Sequence, residues 1–243
     1  MMELWKDDLI DLLHSRSKDK VHQPLIIKKD AKGMVYVQNV TEVEVNSKAE
    51  MMEAMAEGLQ QRHVAETKMN RESSRSHLIF SVVLTGVDES TGRVSTGKMT
   101  LCDLAGSERV KKSEAEGEQL KEAIAINKSL SALGDVIEAL TTNAKSVPYR
   151  NHKLTQLMSD SLGGNAKTLM FVNLSPTAWN AQETLSSLVY ATRAKQVTNK
   201  ASRQEESEEI ARLKQVISQL SKQLQQQQDL DATGSRVRGA GHE

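Results

Sequence analysis

Three serines, two arginines and a histidine crowd into the run Asn70-Arg71-Glu72-Ser73-Ser74-Arg75-Ser76-His77, and a second run follows, Asp103-Leu104-Ala105-Gly106-Ser107-Glu108. The first is too polar for a core and too dense in hydrogen-bonding groups for an average loop. Its hydroxyls can ligate Mg²⁺ or bond a phosphate oxygen, and the Arg75 guanidinium can pair bidentately with a carboxylate such as Glu108. In the second, the short apolar strand Met99 to Asp103 ends in a carboxylate. Open α/β sheets place ligands at that end of a strand, and a carboxylate there can orient Mg²⁺ through its water shell. Gly106 lets the backbone approach a phosphate closely, with its N–H as donor. Taken singly, each run has a plainer explanation: a solvated Ser-rich turn, and an ordinary strand-to-loop turn.

The elements that must position these groups are read from periodicity and turn chemistry. Leu4 to Leu13 reads as a strand. Leu25 to Ile27 and Met34 to Val40 read as a hairpin around Asp30-Ala31-Lys32-Gly33. Ser47 with Glu50 three residues later forms a capping box, opening a helix with Met51, Met55 and Leu59 on one face. His77 to Val87 is a strand, Asp88 to Gly97 a polar turn region, and Met99 to Asp103 a second strand. A long helix runs through Leu120, Ile124, Ile126, Leu130, Leu133, Ile137 and Leu140. Another carries Leu154, Leu157, Met158 and Leu162 and closes at Gly163-Gly164. Thr168 to Leu174 reads as an apolar strand stopped by Pro176, and Leu185, Leu188, Val189 and Thr192 mark a last helix. Strands alternating with helices predict an α/β domain with helices packed on both faces of a sheet.

Composition narrows the function classes. The 243 residues carry 32 basic and 32 acidic side chains, so an acidic partner must be met by a local patch rather than a global field. Nucleic acid is therefore not an expected partner. Cys102 is the sole cysteine, which excludes an internal disulfide and a Cys-based zinc site and fits a reducing, cytosolic setting. No apolar run approaches the ~20 residues of a membrane span. The N-terminus lacks signal-peptide character and opens almost inside an apolar segment, from which truncation is expected.

The motifs together resemble the kinesin motor domain over about residues 2 to 200. Asn70 and Ser73-Ser74-Arg75-Ser76-His77 match its switch I pattern, and Asp103 to Glu108 its switch II pattern. Ile126-Asn127-Lys128-Ser129-Leu130-Ser131-Ala132-Leu133-Gly134 matches the switch II helix, and Val147 to Thr155 the loop and helix that follow. Leu133 to Ile137 and Leu157 to Thr168 are most similar to the C-terminal-motor, minus-end class, and within it to the calmodulin-binding kinesins of plants and protists. The resemblance implies a three-layer P-loop NTPase motor fold with a mixed central sheet, binding ATP or ADP with Mg²⁺ and moving on microtubules in the cytoplasmic cytoskeleton. It implies that Asn70, Ser73, Ser74 and Asp103 meet nucleotide and Mg²⁺, with Ser74 and Asp103 holding the metal through water. Gly106 would sense the γ-phosphate, and Arg75 and Glu108 would form the salt bridge that orders attacking water, catalysis by positioning and charge stabilisation. Loss of the γ-phosphate would release Gly106 and move the helix beginning near Gly117.

One part of that machinery is missing. A nucleotide site needs G-x-x-x-x-G-K-S/T, in which backbone N–H groups cradle phosphates, Lys reaches them and the hydroxyl holds Mg²⁺. Gly92 to Met99 matches all but the last position, but Met99 offers no hard oxygen, and the segment lies between two strands rather than opening a helix. It reads as a Gly-rich hairpin turn. In the family, the true loop precedes this region, on a strand between those corresponding to Thr168–Leu174 and Met99–Asp103. A gap in the sheet and weak or absent ATP binding are therefore expected, with first strands and phosphate loop absent.

Lys111, Lys112, Lys121, Lys128, Arg150 and Lys153 cluster around the switch II helix and its loops, the face that meets acidic tubulin in the family. Lys28, Lys29 and Lys32 add a second contact. For any single lysine a solvated face is the commoner explanation. Glu114 stands where the family usually has Gly, with Glu116 and Glu118 nearby, which is expected either to weaken track affinity or to restrict the loop that moves on hydrolysis. Beyond residue 200, Ile210, Leu213, Ile217, Leu220 and Leu224 keep heptad spacing over roughly two heptads. Residues 201–228 read as a helical segment, either neck-like and dimerising or equivalent to a calmodulin-binding helix, so a second copy and a calcium-sensor protein such as calmodulin are its candidate partners. Residues 229–243 read as disordered. The rival to a motor ATPase is a non-catalytic microtubule-binding or regulatory remnant. A small-GTPase-type switch is disfavoured by the lack of a base-reading Asn/Thr-Lys-x-Asp motif.

Overall fold

A computed structural model describes residues 1–16, 23–69, 73–91, 93–107, 117–199, 205–206 and 216. The chain divides into two units, Met1–Val82 with Thr100–Ser202, and Val83–Met99 with Arg203–Glu243. The strands are β1 (Met2–Trp5), β2 (Asp8–Asp11), β3 (Ile26–Lys29), β4 (Val35–Gln38), β5 (His77–Val87), β6 (Val94–Asp103) and β7 (Glu205–Glu206). The α-helices are α1 (Lys48–Met69), α2 (Gly117–Thr141), α3 (Lys153–Leu157), α4 (Ser159–Leu162) and α5 (Ala181–Lys195). One sheet has the order β2-β1-β5-β6-β7, and β3 and β4 form a separate ribbon. The pairings β1–β2, β1–β5, β3–β4 and β6–β7 are antiparallel.

In the first unit, alternation along β1 sorts the layers, because successive side chains point to opposite faces. Met2 and Leu4 join a core with Val37, Ile79, Leu133, Ile137, Leu154 and Leu157, contributed by β4, β5, α2 and α3. Met1 and Glu3 face the other way. Met1 packs with Leu12 and Leu13, and its Sδ lies so close to Gly58 of α1 that a Cβ there would meet it at 2.3 Å. Helices thus cover both faces, giving the expected layered α/β arrangement.

Several local expectations hold for the chemistry that predicted them. Glu50 N–H donates to Ser47 Oγ at 3.2 Å, and the Glu50 carboxylate accepts from Asn46 N–H at 2.9 Å, closing the capping box at the start of α1. In the β3–β4 turn, Asp30 Oδ1 accepts from the N–H groups of Lys32 and Met34, and Gly33 takes φ +85°. The Gly92–Met99 decoy does not open a helix: Val94 to Met99 lies within β6.

Four expectations change. Leu4 to Leu13 is not one strand but the hairpin β1–β2, in which Trp5 pairs with Asp8 across a turn whose Lys6 has φ 54°. The Lys6 ammonium lies 4.3 Å from the Trp5 ring centroid, an attraction that supports a conformation few non-glycine residues adopt. The helix expected over Leu154–Leu162 is split at Met158 into α3 and α4. Thr168 to Leu174 forms no strand, because backbone groups need a bordering ladder. Leu169 and Phe171 are 77% and 81% exposed, and Leu101 on β6 is 53% exposed. Glu205–Glu206, expected to be helical, instead pairs as β7 with Val94 and Ser95 in the second unit. The helix expected over Ile210 to Leu224 and the tail at 229–243 lie outside the described residues, apart from Val216.

Removing a buried side chain from the first unit's core should separate it from the exposed segment. Leu154→Ala, at a fully buried position, should cost about 2–5 kcal/mol in urea unfolding. Leu169→Ala should change stability by less than about 0.5 kcal/mol.

Candidate functional site

The two motif runs meet through the backbone. The Gly106 N–H donates to the Ser74 carbonyl at 2.7 Å. Ser74 lies in the 3-10 turn Ser73–Arg75, just before β5, and Gly106 follows the end of β6. Adjacent strands β5 and β6 therefore deliver both runs to the same end of the sheet, and Ser81 and Thr100 hydroxyls, 3.1 Å apart, link the two strands further along.

Beneath this contact lies a buried ionic cluster. Arg62 on α1 is 6% exposed and Glu3 on β1 2% exposed. Arg62 Nη2 donates to the Ser76 carbonyl at 3.2 Å and to Ser76 Oγ at 3.1 Å, and Ser76 Oγ–H donates to Glu3 Oε1 at 2.6 Å. Arg62 also stands 3.5 Å from Glu3 and, through Nη1, 3.6 Å from the Asp103 carboxylate. The Asp103 side chain remains 72% exposed, open to a hydrated cation beside its arginine partner. Among the described residues no group of three or more His, Cys, Asp or Glu could cage a metal directly.

A second cluster joins the site to α2. Arg75 Nη1 donates to Glu122 Oε2 at 3.1 Å. Glu108, its expected partner, lies outside the described residues, as do Asn70, Lys111 and Lys112. His77 is buried at the start of β5. Its Nδ1 accepts from the Ala105 N–H at 3.0 Å, so in the neutral ring Nε2 carries the proton and donates to Ser129 Oγ at 2.7 Å. Ser129 in turn donates to the Ile126 carbonyl at 2.7 Å. Burial above all, then the nearby His152 and Arg62 charges, push the His77 pKa down to about 4. Neighbouring Cys102 is pushed up to about 12 by burial and then by Asp103, so it stays an unreactive thiol.

The basic residues expected at the track converge in part. Lys28 and Lys29 are exposed on β3, and the Lys29 ammonium lies 5.3 Å from the Tyr149 ring centroid, next to exposed Arg150. Lys121 and Lys128 are exposed on α2. Lys153 at the start of α3 donates to the Asp7 carbonyl. Burial lowers the pKa of His152; Asp7 acts against this shift, while Lys128 and Lys153 add to it, which brings these groups into one electrostatic neighbourhood. Glu114 and Glu116 lie outside the described residues.

Sequence reasoning missed Arg62, Glu3, Glu122 and Ser129. Arg62 and Glu122 drew no reading at all, and Ser129 appeared only within the Ile126–Gly134 match. For Glu3 a signal existed, a carboxylate inside the apolar run Met1-Met2-Glu3-Leu4-Trp5, which demands a buried partner.

A nucleotide-switch-like junction on a layered α/β fold defines the class, and comparison with known proteins identifies it further. The kinesin motor domain family model matches residues 1–197, and the chain belongs to that family. It is 54% identical over 218 residues to the kinesin-like protein KIN-14E of Arabidopsis thaliana, covering 90% of this chain and 17% of that protein. A kinesin heavy chain of Neurospora crassa is 43% identical over 92% of this chain and 24% of its own length. Among solved structures, a fast kinesin studied for its ATPase mechanism and interactions with microtubules superimposes with a TM-score of 0.74 at 45% identity, covering 84% of this chain and 57% of that one. The dimeric KIF14 motor, solved with AMP-PNP in complex with a microtubule, gives 0.69 at 39% identity, covering 83% and 58%. The chain thus spans about a sixth of the plant relative. Among the described residues no helix is long and apolar enough to cross a membrane.

Burial of neutral His77 has a thermodynamic consequence. In the unfolded chain its pKa returns to about 6.5, so between that value and the folded value of about 4 the unfolded state binds the extra proton. Stability should fall as pH drops through this window, by on the order of 3 kcal/mol from His77, and level off below it. His77→Asn should flatten that slope in urea titrations at pH 7, 6, 5 and 4. An unchanged slope would place the proton uptake elsewhere.

Proposed function

We propose that this chain is the phosphate-sensing and track-binding portion of a microtubule motor ATPase. It works in the cytoplasm on the microtubule cytoskeleton, and its likeness to the C-terminal-motor class implies stepping toward the minus end. The observation that carries the reading is the Gly106 N–H on the Ser74 carbonyl, which joins the two motif runs in a single junction. ATP with Mg²⁺, when bound, supplies the phosphoryl group whose hydrolysis drives such motors. Ser74 and Asp103 would hold the cation through water, and the family's arrangement implies nucleotide contacts for Ser73 and Asn70. Gly106 offers its amide to a terminal phosphate by leaving the Ser74 carbonyl. Arg75 pairs with a carboxylate, Glu108 in the family's arrangement, and steadies the position of attacking water.

For the track, Lys28, Lys29, Lys121, Lys128, Arg150 and Lys153 form the face complementary to acidic tubulin, joined by Lys111 and Lys112 if the family's arrangement holds. The partners of residues 201–228 are a second copy or a calmodulin-like calcium sensor. A second reading, a non-catalytic microtubule-binding remnant, is favoured by one feature: none of the 243 residues form G-x-x-x-x-G-K-S/T.

Microtubule co-sedimentation tests the shared part. Binding should weaken as salt rises from about 0.05 to about 0.2 M, and Lys128→Glu with Arg150→Glu should weaken it roughly tenfold at low salt. Salt-independent binding, or none, removes the track assignment. Calorimetry addresses the nucleotide. This polypeptide should give no saturable heat with Mg·ATP up to about 1 mM, an affinity weaker than about 4 kcal/mol. Micromolar binding would show that the phosphate loop is dispensable here and would exclude the remnant reading.

A further inference from the structure

We propose that His77 is a positioning residue that locks the Ala105–Gly106 turn to α2 through a tautomer dictated by Ser129. The argument follows donors and acceptors along one chain. The Ile126 carbonyl can only accept, so the Ser129 hydroxyl proton points to it, at 2.7 Å. Ser129 Oγ is then left with lone pairs toward His77 Nε2, also at 2.7 Å, and Nε2 must carry the ring proton. Nδ1 is thereby an acceptor, the role the Ala105 N–H requires at 3.0 Å. A backbone carbonyl of α2 thus determines whether the turn after β6 has a partner for its amide. Were Ser129 drawn away, the ring would be free to carry its proton on Nδ1, which would face the Ala105 N–H donor to donor and expel it.

Burial makes this coupling effective. His77 and Ser129 are both buried, Ser129 almost completely, so no water stands ready to replace a lost partner. An unsatisfied buried donor is costly because nothing replaces its lost partner, and that cost makes the two ends move together. The neighbouring Gly106 amide is the one engaged by Ser74. The coupling deepens the motor reading and rests on it only for how the movement is used: a shift of α2 at Ser129 would release the sensing turn, and release of the turn would free α2.

The test needs neither nucleotide nor track, so its failure leaves the motor reading standing, and a failure of microtubule binding leaves the coupling standing. Nitrogen NMR of the full chain near pH 7 should find His77 in the Nε2–H tautomer; the Nδ1–H form overturns the proposal even if every variant proves unstable. In hydrogen exchange, Ser129→Ala should speed the Ala105 amide by about tenfold, measured relative to Leu157 in α3 as a reporter of global stability. An unchanged Ala105 rate overturns it. Two further variants divide the ring's duties. His77→Asn places an acceptor near the Nδ1 position and should largely keep Ala105 protected. His77→Gln places a donor near the Nε2 position and should lose that protection. Equal losses in both would reduce His77 to a space-filling residue and sink the coupling.

Discussion

The arrangement depends on one buried cation. Glu3 points from β1 into the layer under α1, where an uncompensated carboxylate would cost several kcal/mol. Arg62 supplies the compensation, and the same guanidinium reaches Ser76 on both its carbonyl and hydroxyl and approaches Asp103. Four separate pieces of chain are therefore held by one planar group whose five donors are arranged in a rigid fork. Lysine, with a single charged point on a flexible stem, would not span them. The position of Arg62 is itself set far away, at the Ser47–Glu50 capping box. Fifteen residues of helix separate Ser47 from Arg62, a strut of about 22 Å. Where α1 starts thus determines where the guanidinium ends up.

Legibility followed the range of the interaction. The capping box and the Asp30–Gly33 turn were readable because their causes lie within a few residues. The two motif runs were readable because their density of hydroxyl, guanidinium and carboxylate groups is costly to keep without a use. Lys6 was not readable: its left-handed backbone is supported by the Trp5 ring, a contact with no signature in residue type. Nor were Arg62, Glu122 and Ser129, which take their meaning from partners distant in sequence. On a helical wheel an arginine and a glutamate among other polar residues look solvated; only the fold shows that these two face inward.

Thr168 to Leu174 illustrates the opposite error. Its composition is that of a buried strand, and it remains exposed and without a ladder. Strand propensity describes fitness for a pleated, half-buried surface, and that surface must be supplied by neighbours. Without such neighbours, Leu169 and Phe171 have no surface to cover them. The same reasoning that over-predicted the strand explains why its apolar side chains remain in solvent.

On the proposed motor reading, the Gly106–Ser74 bond gives the junction a basis for sensing charge. An amide left without a partner would bind almost any acceptor. One already satisfied by a neutral carbonyl gives up a bond of about 1 kcal/mol net, and recovers more only from a charged acceptor, for which such bonds contribute about 1.5–3 kcal/mol. The self-contact therefore discriminates by charge: water or a neutral ligand gains nothing by displacing Ser74, whereas a phosphate oxygen does. The margin is small, a kcal/mol or two, so it governs the turn only if the turn has two defined positions. His77 supplies that definition, since the amide of Ala105 is either seated on Nδ1 or left buried and unpartnered. On that reading, charge at Gly106 would set the bias and the ring beside it would make the response abrupt.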